Sequence, residues 1–327
     1  MTQLQDRYGR RFHYLRLSIT DACNFKCEYC LPNGYRPISK KPLYLQQQEL
    51  ARVVAAFAQC GTRKVRLTGG EPSLRKDFTA IIEQTAQIPA IETVATTTNG
   101  YRLAQHAAAW QQAGLDQVNV SVDSLDPRDF QKITGDGRFD QVLRGIDAAL
   151  TLNYRRVKLN AVLLKTHHAT QLPLFLDYIR HRPVDIRFIE LMKTGLQADY
   201  FERQHLSGAV IQQQLLTQGW QLAQAERDAG PALNYCHPDY AGRIGLIMPY
   251  SKDFCVTCNR LRVSAMGKLH LCLFTEAGIE LRDLLACDSH QSLLIERLQR
   301  VLQDKHQSHY LHQGHTGATP HLASIGG

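Results

Sequence analysis

From about residue 12 to 192 the chain alternates two kinds of stretch. Short runs rich in β-branched residues read as strands at Tyr14–Thr20, Lys64–Thr68, Thr93–Thr98, Gln117–Asp123, Val157–Leu164 and Ile186–Leu191. Between them apolar residues recur at helical spacing. In Gln46–Gln59, for example, Leu50, Val53, Val54 and Phe57 share one face. Asp77–Ala86, Leu103–Gln112, Phe139–Leu152 and Thr170–Ile179 follow the same rule. Strands alternating with helices predict a parallel α/β sheet or barrel. Six strands fall short of the eight of a closed barrel, so an open, incomplete (β/α)6 barrel or a curved sheet is expected.

The strands carry a second signal. A parallel sheet buried on both faces reads as nearly continuous Val, Ile and Leu, but these strands alternate. Leu15, Leu17 and Ile19 oppose Arg16, Ser18 and Thr20; Val65 and Leu67 oppose Lys64, Arg66 and Thr68. Val118, Val120 and Val122 oppose Asn119, Ser121 and Asp123, and Val157, Leu159 and Ala161 oppose Lys158 and Asn160. With helices on the apolar face, the polar phase lines the inside of the curve. Arg16, Arg66, Lys158, Thr97, Asn119 and Ser121 then point into a lumen that water or a ligand must fill. Solvated strand ends are the plainer alternative, but the same phase in four strands favours a ligand cavity.

Beyond residue 193 the rhythm breaks. Lys193–Leu206 reads as a loop and Ser207–Gln218 as a helix, followed by a short strand at Gly242–Pro249. Arg260–Ser264 and Leu269–Phe274 form an expected hairpin around Gly267. The chain divides accordingly into residues 1–219, the partial barrel, and 220–327, a smaller α+β domain packed over its open side.

Composition adds limits. The 327 residues are 44% hydrophobic and 21% charged, as in an ordinary globular protein. No apolar run approaches the ~18 residues of a membrane span, and the polar start is not that of a signal peptide, so a cytoplasmic protein is expected. The formal charge is +8. No basic block or tail accompanies it, which argues against nucleic acid and for a small anionic substrate.

Six of the nine cysteines fall into two groups, Cys23/Cys27/Cys30 and Cys255/Cys258/Cys272. Structural zinc takes four protein ligands and iron–sulfur clusters usually four cysteines. A 4Fe–4S cluster on three thiolates leaves one iron open, so the first triplet points to chemistry at iron. For the second, zinc completed by His237 or His270 stands as the alternative to another open cluster. Arg260 and Arg262 follow it at period two, suited to bidentate phosphate contacts. Gly69-Gly70-Glu71-Pro72 ends the second strand, where glycines permit close backbone approach to a ligand. His306, His309, His312 and His315 recur every three residues near a terminus that ends in two glycines and reads as frayed.

Cys-x3-Cys-x2-Cys with Tyr29 before the last cysteine, then Gly-Gly-Glu-Pro, resembles the radical S-adenosylmethionine (SAM) enzymes. Arg66–Pro72, Thr97-Thr98-Asn99-Gly100, Ser121–Leu125, Arg187–Met192 and Cys255-x2-Cys258-Asn259-Arg260-Leu261-Arg262 resemble one family among them more closely, the GTP 3′,8-cyclases of molybdenum-cofactor biosynthesis. The likeness runs from about residue 6 to 327. It implies two 4Fe–4S clusters on Cys23/Cys27/Cys30 and Cys255/Cys258/Cys272, the second carried by the C-terminal domain. SAM falls to Tyr29, Gly70, Ser121 and Met192, and GTP to Arg16, Arg66, Thr97, Lys158, Arg260 and Arg262. It further implies cleavage of SAM to a 5′-deoxyadenosyl radical, hydrogen removal from the GTP ribose and ring closure onto guanine C8. Also implied are a flavodoxin- or ferredoxin-type electron donor, a downstream cyclic pyranopterin monophosphate synthase, a homodimer, and a terminal Gly326-Gly327 that reaches into the site. A peptide-modifying radical SAM enzyme and a non-catalytic zinc module are the rival readings.

Overall fold

The computed structural model describes residues 3–37, 43–194, 197–224, 230–274, 277–316 and 322–326. Six strands, β1 (Tyr14–Thr20), β2 (Lys64–Gly69), β3 (Thr93–Thr98), β4 (Gln117–Ser121), β5 (Arg156–Leu163) and β6 (Asp185–Glu190), lie side by side in chain order, all parallel. Helices α1 (Gln47–Gln59), α2 (Phe78–Ala86), α3 (Leu103–Gln112), α4 (Pro127–Thr134), α5 (Phe139–Thr151) and α6 (His168–Arg180) occupy the crossovers. Further along come α7 (Ala198–Gln204), α8 (Gly208–Thr217), β7 (Gln221–Leu222), β8 (Leu233–Cys236), β9 (Arg243–Ile247), β10 (Arg260–Val263), β11 (Lys268–His270), β12 (Ile279–Glu280) and α9 (Gln291–Leu302).

The sheet order is β12-β11-β10-β1-β2-β3-β4-β5-β6-β9-β8-β7. The later strands thus continue the sheet at both edges, β10 parallel to β1 and β9 parallel to β6, each followed outward by antiparallel strands. The apolar strand phase is fully buried: Leu15, Leu17, Ile19, Val65 and Leu67 share one core with Leu50, Val53, Val54 and Phe57 of α1. Each such side chain contributes roughly 1.5–3 kcal/mol by leaving water. The polar phase is left to the opposite face.

Lys193–Leu206 is not wholly a loop, since α7 lies within it. That helix buries none of its residues, so no apolar stripe announces it. The short α4 is marked instead by its ends. Asp126 accepts from the backbone N–H groups of Arg128 and Asp129, Pro127 opens the helix, and Gly135 closes it at φ 64°. Among the described residues no helix is long and apolar enough to cross a membrane.

Candidate active site

Strand register makes the polar face strongly basic. Arg16 of β1 pairs with Arg262 of β10 on one side and with Arg66 of β2 on the other. Residues in register stand side by side, roughly 4.8 Å apart, on one face. Three arginines therefore form a row, and in the next row Tyr14 stands between Arg260 and Lys64. Together with Lys158 and Arg187 they line a cavity of about 340 Å³, the size of a small-molecule site.

The cations strain against one another. Burial, then the charges of Arg262, Arg66 and Arg260, bring Arg16 down to about 9. Burial and Arg187 bring Lys158 from 10.5 to about 6, although Asp185 lies 3.6 Å from its ammonium. Arg187 and Arg262 fall to about 10, mainly by burial. Burial alone would raise Tyr14, but Arg66, Arg16 and Lys64 outweigh it and bring the hydroxyl to about 6.

Hydrogen bonding is equally incomplete. Among the described residues, the buried Nε atoms of Arg187, Arg260 and Arg262 and the Oδ1 atoms of Asn119 and Asn160 have no hydrogen-bond partner. Arg66 is held in place, donating to the Tyr14 hydroxyl (2.5 Å), the Thr96 carbonyl (2.6 Å) and Thr97 Oγ1 (3.4 Å). Buried donors without acceptors and crowded cations held below their ordinary values are what a bound anion would satisfy.

The first cysteine loop leaves the carboxyl end of β1. Its backbone is tied to α4, Lys26 N–H donating to the Thr134 carbonyl (2.9 Å) and Glu28 N–H to Ile133 (3.0 Å). Burial pushes Cys23 up to about 11, Cys30 to about 12 and Cys27 well above its ordinary value, with Glu71 and Asp123 adding to it. The Tyr29 hydroxyl donates to Asp123 Oδ2 at 2.8 Å. Gly69 and Gly70 press against this loop: a Cβ on Gly69 would lie 2.0 Å from the Thr20 carbonyl oxygen, and one on Gly70 2.3 Å from that of Ala22. Met192 lines the cavity, whereas Tyr29 within the cysteine loop, Gly70 against the chain leading into it and Ser121 at the end of β4 are not part of that lining.

Cys255 and Cys258 lie in the turn before β10, and Cys272 follows β11; all three line the cavity. Among the described residues no three His, Cys, Asp or Glu side chains converge on a single metal ion. The histidines proposed for zinc are engaged elsewhere. His237 packs on Trp220 and Tyr240, and His270, in register with Arg262, is lowered to about 4 by burial and Arg262. His306, His312 and His315 surround the ring of Tyr310 instead of a metal. Within each triplet the thiols still feel one another's charge. Soft donors that are near but not convergent fit a cluster several ångströms across better than one ion.

The described end of the chain is not frayed. The Gly326 carbonyl accepts from Arg16 Nε (2.9 Å) and Nη2 (2.5 Å), and the Ala323 backbone N–H donates to Cys30. A Cβ on Gly326 would stand 2.1 Å from Thr68 Cγ2. Gly327 lies outside the described residues. Arg187, Asn160, Lys64 and Tyr14 were missed as site residues although they sit in the same polar phase. For Arg187 the alternation of Asp185, Arg187 and Ile189 was the available signal.

The Radical SAM superfamily model matches residues 17–179, and the Molybdenum Cofactor Synthesis C model residues 184–311. Streptococcus suis SuiB bound to S-adenosylmethionine superposes with a TM-score of 0.61 at 12% identity, over 89% of this chain and 68% of that one. Native anSMEcpe with bound AdoMet and Cp18Cys peptide gives 0.54 at 12%, over 88% and 83%. A partial barrel with a cysteine triplet after its first strand is thus a radical SAM protein. A GTP 3′,8-cyclase of Shewanella denitrificans is 62% identical over 100% of this chain and 97% of its own length. That of Vibrio parahaemolyticus is 58% identical over 99% and 98%. The chain belongs to the GTP 3′,8-cyclase family.

Proposed function

We propose that the arginine row and the two cysteine triplets carry out the reaction of that family, with GTP held between them. The protein is a radical SAM lyase that converts GTP to (8S)-3′,8-cyclo-7,8-dihydroguanosine 5′-triphosphate, the first step of molybdenum-cofactor biosynthesis. Its cofactors are SAM and 4Fe–4S clusters. When bound, the first cluster and SAM together supply a 5′-deoxyadenosyl radical, the species that takes hydrogen from the GTP ribose. Cys23, Cys27 and Cys30 would hold that cluster, and Tyr29, Gly70, Ser121 and Met192 would hold SAM. Cys255, Cys258 and Cys272 would hold a second cluster facing the purine.

The single observation behind the substrate assignment is the row Arg262–Arg16–Arg66, whose mutual repulsion a bound polyanion would relieve. Arg260 and Lys158 extend it, and Thr97 steadies Arg66. Each charge-assisted contact supplies roughly 1.5–3 kcal/mol. The enclosing strands also keep water from a reactive carbon radical. A peptide substrate would bring these cations less negative charge than a triphosphate does, which weighs against the peptide-modifying alternative.

We place the functional division at residues 219/220, and the enzyme in the cytoplasm as a homodimer. A flavodoxin- or ferredoxin-type protein is its proposed reductant, and a cyclic pyranopterin monophosphate synthase takes its product. The test is anaerobic turnover of reconstituted protein with SAM, dithionite and GTP. 5′-Deoxyadenosine formed together with a cyclised guanosine triphosphate supports the reading. Zinc in place of iron, with no acid-labile sulfide, would sink it.

A further inference from the structure

Lys305, just past α9, is a buried cation that the reaction as described leaves unused. It is 3% exposed and lines the cavity. Among the described residues no carboxylate pairs with it. Its ammonium donates to the carbonyl of Leu271, the residue before Cys272, and lies 5.4 Å from the centroid of the Phe12 ring. An ammonium buried this deeply needs compensating negative charge, and the second cysteine triplet is what it faces. Of the charges that act on the Cys258 sulfur, those of Lys305 and Arg260 are the largest.

The residues after Lys305 turn toward the same triplet. Ser308 Oγ donates to Cys255 Sγ at 3.8 Å, and the His309 backbone N–H points to the same sulfur. Arg10 clamps this segment in place. It donates to the carbonyls of His306 (2.7 Å), Gln307 (2.7 Å) and Cys255 (3.1 Å), while its Nε is fixed by the buried Asp6 at 2.7 Å. The first triplet has a more acidic setting, with Glu71, Asp123 and Asp136 acting on its thiols and Arg138 as the cation near Cys23.

We propose that Lys305, assisted by Ser308, sets the reduction potential of the cluster on Cys255, Cys258 and Cys272 and raises it. This rests on reading that triplet as the second cluster's ligands. Adding an electron makes a thiolate-bound cluster more negative. A fixed ammonium and a hydrogen bond to a ligand sulfur both favour the reduced state. Lys305 and Ser308 are positioning residues here.

The experiment is an anaerobic redox titration followed by electron paramagnetic resonance. It uses full-length reconstituted protein with Cys23, Cys27 and Cys30 changed to alanine, so that one centre titrates. Lys305→Met should lower the equilibrium constant for reduction about tenfold, ~59 mV for one electron. Lys305→Arg should restore it, and Ser308→Ala should shift it the same way by less. Iron and acid-labile sulfide are assayed on every sample. Background protein without either overturns the cluster assignment and this inference with it. A fully loaded Lys305→Met centre at the wild-type potential overturns the inference alone. If Lys305→Met does not load, Ser308→Ala decides, and an unmoved potential there overturns it.

Discussion

Nucleotide binding is predicted to take up protons, because Lys158 and Tyr14 both titrate at about 6 in the protein alone. At pH 8 only about one Lys158 in a hundred then carries its charge, by the two-unit gap between pH and pKa. A triphosphate beside it returns the amine toward 10.5, so the complex holds a proton that the free protein lacks. Tyr14 is an anion above about pH 6; a bound phosphate repels that charge and restores the hydroxyl, which adds a second proton. Both effects have the same sign, so affinity falls as pH rises above 6. Each linked proton steepens the dependence by about tenfold per pH unit, or ~1.4 kcal/mol. Between pH 7 and 8 the Kd for GTP should rise by up to about 100-fold, and by about tenfold in Lys158→Met or Tyr14→Phe. Titration calorimetry at pH 8 in two buffers of different ionisation enthalpy counts the protons directly. The nucleotide is silent there, its last phosphate pKa lying near ~6. Heats that are the same in both buffers would refute the reasoning.

Three further outcomes follow from single contacts. Arg260→Ala and Arg262→Ala should each weaken GTP binding by roughly 10- to 150-fold, the loss of one charge-assisted contact; equilibrium binding at wild-type strength would remove them from the triphosphate site. Gly69→Ala places a side chain at φ +148° and 2.0 Å from a backbone oxygen, and should cost on the order of 3 kcal/mol or more in thermal unfolding of the apoprotein; an unchanged Tm contradicts that. Gly326→Ala, at φ +65° against Thr68, should displace the tail from Arg16 and cut turnover at least ~10-fold at unchanged iron content, whereas full activity would show that the Gly326 contact is dispensable.

Much of this was legible in the sequence because the strands obey a period of two. Once Leu15, Leu17 and Ile19 were assigned to the strand face that the helices cover, Arg16 had only the lumen left, and the same argument placed Arg66 and Lys158. What the period does not give is register. Nothing in the spacing of residues 14–20 and 260–264 says that Arg16 stands beside Arg262, because pairing between distant strands depends on how the whole sheet closes. The same limit hid the role of the later strands, which are too short to announce that they extend the barrel at both edges. α7 was missed because it fully buries none of its residues, Tyr200 and Phe201 packing only in part, and α4 because eight residues are too few for a helical period. Lys305 carried no signal, since a lone lysine after a helix looks like a solvated one.

Register also explains how the two triplets are kept apart. The first follows the carboxyl end of β1; the second precedes the amino end of β10; and β10 pairs parallel to β1 with Tyr14 opposite Arg260. The two groups of thiols therefore stand at opposite ends of one strand pair. Six steps of about 3.3 Å along the seven residues of β1 separate those ends by roughly 20 Å, with the arginine row between. An antiparallel β10 would have brought Cys258 to the same end as Cys30, with no space for a nucleotide. Under the proposed assignment, the pairing that completes the arginine row also sets the distance between the radical source and the group that recognises the base. That distance is held by a hydrogen-bonded ladder, not by loops. Changes in loop length around either triplet should then alter cluster loading before they alter where the substrate lies.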